Sequence, residues 1–148
     1  MKIIFATRRK YIPAMLLRII TLSKFSHMAV LLDDNTVIEA AAFKGVVRGS
    51  YENFRRQYDR IIIQDVSLPD EEAAIKFLLE QVGKPYDWTA IFGIVFRNGK
   101  WADLDSWFCS ELVAAAIKAG GLSIFKEDAS RIIPQYCWVL NWGNRDGG

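Results

Sequence analysis

The sequence predicts an α+β domain in which an antiparallel sheet packs against a helix that opens at a cysteine. Apolar stretches at 26–32 and 36–41 flank Asp33-Asp34-Asn35 and read as two strands joined by a tight turn. Cys109, Leu112, Val113, Ala116 and Ile117 recur at helical spacing between Ser106, a good N-cap, and Gly120-Gly121, a stop. The 148 residues are 51% hydrophobic, enough for one sizeable core. No linker, repeat or low-complexity tract divides them, so a single domain is expected over 1–142, followed by a flexible tail at 143–148.

Taken in order, residues 2–6 read as a short strand. Pro13 suits the first turn of a helix that runs to about residue 22 and is apolar nearly all round. The strands at 26–32 and 36–41 follow. A three-residue loop at 33–35 sets Leu32 opposite Thr36 and Ala29 opposite Glu39. His27 and Glu39 then share a face as diagonal neighbours, with backbones roughly 7–8 Å apart. A two-residue loop would send them to opposite faces, because a one-residue slip inverts every side chain. The three-residue loop is the reading adopted. Strands are expected at 44–48 and 60–66; the segment between them, with Tyr51, Phe54 and Tyr58, is left unassigned.

Asp70 is expected to cap a helix through Val82, with Ala74, Ile75, Leu78, Leu79 and Val82 on its apolar face. Gly83-Lys84-Pro85-Tyr86-Asp87-Trp88 is loop material, 89–96 an apolar helix and 97–100 a turn. After the Cys109 helix, a short helix is expected to end near Trp142.

Composition narrows the function. The formal net charge of +2 is too small to argue for nucleic acid or a membrane surface, and Arg8-Arg9-Lys10 and Arg55-Arg56 read as solvated faces. Two cysteines, Cys109 and Cys137, make no disulfide scaffold. No His, Cys or acidic cluster has metal-ligand spacing, and no cofactor is expected. The basic cluster and the apolar run behind it have the look of a signal peptide, but Arg18 interrupts the run and no small-residue cleavage site follows. That run is also too short to span a bilayer. A cytoplasmic location is therefore expected.

The chemistry-bearing residues converge on one constellation. Cys109 opens a helix, where the macrodipole and unpaired N–H groups favour a thiolate. A thiol nucleophile needs a base, and the chain has one histidine, His27. Glu39, on the paired strand, is the acceptor best placed to orient its ring. The backbone N–H of Cys109 would help bind an oxyanion. Singly, each residue has a plain structural explanation: Cys109 as a small core residue, His27 as a satisfied strand histidine, Glu39 as an exposed acid and Tyr86 as core or rim.

Gly83-x-Pro85-Tyr86-x-Trp88 followed by Cys109-Ser110-x-Leu112-Val113 resembles the nucleophile region of NlpC-type cysteine peptidases, a branch of the papain-like fold. In ordinary members the cysteine comes first. Here His27 precedes Cys109 by 82 positions, an order similar to the circularly permuted YiiX/YaeF/YebB-type enzymes. Ser26-His27-Met28-Ala29-Val30, Val37-Ile38-Glu39-Ala40 and Gly45-Val46 match that branch's strand motifs in order, and the likeness covers roughly residues 23–120. The resemblance implies a permuted papain-like fold with a strongly curved sheet. It implies Cys109 as nucleophile, His27 as base, Glu39 as third member and Tyr86 as an oxyanion or substrate contact. Phe108 stands where ordinary NlpC-type members carry Asp, so peptidoglycan specificity is not carried over.

The expected function is a cysteine-dependent hydrolase of amide bonds that acts through an acyl-enzyme intermediate on a peptide. Relatives that act on lipids make an acyl-amide or lipid-like substrate, cleaved or transferred, an alternative. The apolar segment at 12–22 and Trp88, Trp101 and Trp107 fit such a ligand, and fit a plain core equally well. Two other readings are a non-catalytic peptide- or lipid-binding domain with a vestigial site, and a membrane-surface element built on Arg8-Arg9-Lys10.

Overall fold

The computed structural model describes residues 1–8, 24–86 and 108–122. Five antiparallel strands form one sheet: β1 (Lys2–Thr7), β2 (His27–Leu31), β3 (Thr36–Ala41), β4 (Gly45–Ser50) and β5 (Arg60–Asp65), in the order β4-β3-β2-β1-β5. Among the described residues three helices accompany it: α1 (Tyr51–Arg55), α2 (Glu71–Gln81) and α3 (Cys109–Ala119). The architecture is α+β, as the sequence predicts. The expected helices at 13–22 and 89–96, the segment after Leu122 with Cys137, and Trp88, Trp101 and Trp107 lie outside the described residues.

Strand alternation divides the apolar side chains between two faces. Ile3, Phe5, Met28, Val30, Ile38, Ala40 and Val46 pack on one face, beneath Ala74 and Leu78 of α2 and Leu112, Val113, Ala116 and Ile117 of α3. Ile4, Ala6, Ala29, Leu31 and Val37 occupy the other, covered by Phe54 and by the partly buried Tyr51, Tyr58 and Ile61. Both faces are thus buried, which is why β2 is apolar at nearly every position rather than alternating.

The register follows from the turn. Leu32 N–H donates to the Thr36 carbonyl at 2.8 Å, and Asn35 N–H donates to the Leu32 carbonyl at 3.2 Å. Asn35 takes φ +60°, the left-handed conformation that asparagine tolerates better than most residues. The Asp34 carboxylate caps the turn from the Thr36 N–H at 2.9 Å. The loop is therefore the three-residue one, with Leu31 opposite Val37 and Val30 opposite Ile38. The recorded ladder consists of those two pairs, so His27 and Glu39 lie beyond its end.

The unassigned segment after β4 contains α1. Ser50 caps it by accepting from the Asn53 N–H at 3.3 Å, and Phe54 is its buried residue. Asp70 caps α2 as expected, accepting from the Ala73 N–H at 2.9 Å. At its other end α3 closes in a Schellman motif. Leu122 N–H reaches the Ile117 carbonyl at 3.2 Å and Gly121 N–H the Lys118 carbonyl at 3.0 Å, with Gly121 at φ +85°.

The start of α3 differs from the sequence reading. Phe108, not Ser106, is the N-cap, at φ −86° and ψ 151°. A phenyl ring cannot accept a hydrogen bond, so half of a capping box is missing. The other half is made: the buried Glu111 carboxylate accepts from the Phe108 N–H at 3.1 Å. Burial of the Phe108 ring, 1% exposed, anchors the helix start in place of a polar cap. Tertiary packing outweighs capping preference at this end.

Candidate active site

The site forms where the start of α3 meets β2 and β3, past the end of their ladder. Leu112, Val113, Ala116 and Ile117 bury one stripe of α3 in the core and so determine where its first residue, Cys109, must lie. Cys109 is a free, buried cysteine. Its thiol acts on His27, raising the pKa of that ring.

His27 opens β2 on the face shared by Ala29 and Leu31, and Glu39 follows Val37 by two on β3. The diagonal placement expected from the loop is found. His27 Nε2 lies 2.6 Å from Glu39 Oε2, and the two side chains are only 11% and 13% exposed. With Nε2 engaged by Glu39, Nδ1 is the ring nitrogen left for the thiol.

Burial pulls the His27 pKa down. Hydrogen bonds with Cys109 and Glu39, and the charge on both, outweigh it and push the value up to about 10. The imidazolium is thus the favoured form of this ring at neutral pH.

An aromatic wall that sequence reasoning missed stands against the ring. Tyr58 stacks on His27 with centroids 5.5 Å apart and planes inclined by 5°. Phe54 lies 6.0 Å from His27, tilted by 31°, and 4.7 Å from Tyr58. Burial, then the charges of Glu39 and Cys109, hold the Tyr58 phenol far from ionisation, while Arg8 acts the other way. A signal for this wall was present: Tyr51, Phe54 and Tyr58 recur at spacings of three and four, a helical pattern on a segment too short to announce a helix.

Tyr86 is held by two glycine-dependent contacts. Gly45 sits at φ +76°, where a Cβ would overlap the Lys84 carbonyl. This close approach lets Val46 N–H donate to the Lys84 carbonyl and Gly83 N–H to the Val46 carbonyl, each at 2.8 Å. The Tyr86 ring then meets Phe108 edge-on, centroids 6.0 Å apart, one residue before Cys109. Among the described residues no group of three or more His, Cys, Asp or Glu could hold a metal ion, and no helix is long and apolar enough to cross a membrane.

Comparison with known families adds one decisive finding. The family model of the permuted papain-like amidase enzymes, YaeF/YiiX, C92 family, matches residues 2–129. The chain belongs to the permuted papain-like amidases. No curated protein matches it. Membership explains the order of the chain, in which the histidine strand precedes the cysteine helix. It makes the protein a peptidase/amidase-type enzyme with an amide substrate. The match is to the permuted branch expected from the sequence, and the likeness of the nucleophile region to NlpC-type peptidases is a looser one.

Proposed function

We propose that the protein is a cysteine amidase in which Cys109, His27 and Glu39 act as a triad through an acyl-enzyme intermediate. The observation that carries this reading is the position of His27, joined to Glu39 at 2.6 Å through Nε2 and held in its charged form by Glu39 and Cys109 together. In this scheme the imidazolium leaves Cys109 as thiolate. The sulfur attacks the amide carbonyl carbon and the electron pair of the C=O moves to oxygen. The Cys109 N–H, at the helix start, stabilises that oxyanion. As the intermediate collapses the C–N bond breaks, and His27 gives its proton to the leaving amine. Neutral His27 then takes a proton from water as the water oxygen attacks the thioester. The acid leaves, and thiolate and imidazolium are restored. Glu39 holds the ring in the orientation both transfers need. Tyr86, packed beside Phe108, contacts the oxyanion or the substrate.

The substrate proposed is a peptide-type amide. The lipid-like alternative comes from lipid-acting relatives, and the apolar residues that would fit it, 12–22, Trp88, Trp101 and Trp107, lie outside the described residues. The test is hydrolysis of an acyl-peptide library by wild type and Cys109→Ala, with the acylated protein trapped by acid quench. The expected result is an adduct on Cys109 and no turnover by the variant. Turnover that persists in Cys109→Ala would overturn the proposal.

A further inference from the structure

We infer that Tyr58 is a positioning residue, which holds the plane of His27 so that one ring faces Cys109 and Glu39 together. The inference rests on the triad reading and adds a fourth side chain to it. His27 stands at the first position of β2, paired with Ala6 of β1 but beyond the last pair of the β2–β3 ladder, so the sheet holds its backbone on one side only. Its Nε2 meets Glu39 on β3, and Cys109 on α3 also acts on the ring, so its two partners sit on different elements. Rotation about either side-chain torsion would break one of these contacts. The torsion to an sp² ring is broad and supplies little restraint of its own.

Tyr58 supplies it. The near-parallel stack at 5.5 Å and 5° admits rotation of the imidazole only within its own plane. Tyr58 is in turn braced by Phe54, at 4.7 Å, and Phe54 is 2% exposed. The Tyr58 backbone N–H donates to the Arg55 carbonyl at 3.3 Å, and the next residue, Asp59, donates to the Thr7 carbonyl of β1 at 3.0 Å. The backbone that carries the ring is therefore tied to both α1 and the sheet. A tyrosine face also favours a cation stacked within about 6 Å, so the same contact supports the charged form of His27. Finally, Tyr58 covers a hydrogen bond whose members are only 11% and 13% exposed, keeping water from competing for it.

The bland alternative is that Tyr58 merely fills space with Phe54 and Ile61. Two readouts separate the alternatives: the titration midpoint of the His27 ring and the rate of Cys109 carbamidomethylation by iodoacetamide at pH 6. Both are measured in wild type, Tyr58→Phe, Tyr58→Leu and His27→Ala. The influences that raise the His27 midpoint already outweigh burial, and the hydrogen bonds among them weaken as the ring turns away. Tyr58→Leu should therefore lower the midpoint by about one unit and, because a turned ring no longer faces the thiol, slow alkylation at pH 6. Tyr58→Phe keeps the stack and should match wild type. Wild-type values in Tyr58→Leu would overturn the positioning role and leave the triad standing. Slow alkylation at pH 6 in wild type, unchanged in His27→Ala, would overturn the triad reading and this inference with it. Should Tyr58→Leu not fold, wild type alone decides. The His27 ring protons must then show an upfield ring-current shift and cross-relaxation with the Tyr58 ring, and their absence removes the stack.

Discussion

His27 Nε2 and Glu39 Oε2 lie 2.6 Å apart across two strands, at the point where their recorded ladder has ended. The contact depends on a turn of three residues, on Asn35 in a left-handed conformation and on alternation that sends both side chains to one face. From there Glu39 engages one ring nitrogen and leaves the other for the start of α3. The histidine is acted on by two acids carried by different elements, so its titration reports the integrity of the whole site.

The first prediction concerns that titration. The chain has one histidine, so its imidazole resonances need no assignment. The midpoint should lie well above 6.5, toward about 10, and Glu39→Gln should bring it down. The sign for stability follows. A folded pKa raised above the unfolded value stabilises the fold fully below about 6.5, and this contribution is lost as pH rises through about 10. Urea unfolding at pH 6 and at pH 10 should show the gap between wild type and His27→Gln narrowing at the higher pH. A gap that widens contradicts the pairing.

A second prediction concerns the thiol. Cys109 is 1% exposed, so its reaction rate reports access as well as thiolate content. A comparison among variants at one pH separates the two. Iodoacetamide should modify Cys109 in wild type on a plateau that extends below neutral pH, and His27→Ala should lose that plateau. Peptide mapping distinguishes the adduct from one on Cys137. A single titration near about 8.5 in both proteins would mean that no activated thiol exists.

Stability should separate the site from the core on one helix. Cys109→Ala removes a small thiol and should leave the fold and its cooperative melt intact. Leu112→Ala, three residues on and 1% exposed in the main cluster, should cost about 2–5 kcal/mol by urea unfolding. Collapse of Cys109→Ala with a mild effect at Leu112 would reverse these assignments.

Gly45→Ala should destabilise the protein by about 1–3 kcal/mol, since the position requires φ +76°. The added Cβ also overlaps the Lys84 carbonyl and displaces the loop that carries Tyr86. Gly49→Ala, in the same strand with open space around its Cβ, serves as the control and should be mild. Equal melting temperatures for the two variants would contradict the close approach.

Much of this architecture is legible in local pattern. Residues 36–41 and 70–82 announce their elements through apolar periodicity and a capping aspartate, and the observed strand and helix agree to within a residue. Helix α1 is not legible, because its five residues bury one side chain and leave little periodicity to read. The cap of α3 is misread for a different reason. Ser106 is the better capping residue in isolation, yet burial of Phe108 and the Glu111 carboxylate outweigh that preference.

Residue types and their order therefore define a thiol, an imidazole and an acid on elements that can meet, and the family match makes the chain a permuted papain-like amidase. Their junction is a different kind of fact. The distance between His27 and Glu39 turns on loop register, which alters every facing pair when it slips by one residue. The approach of Cys109 turns on how α3 buries Leu112, Val113, Ala116 and Ile117. The Tyr58 stack turns on a helix that local pattern does not announce. Each is a contact between residues distant in sequence, governed by packing that local preference does not encode.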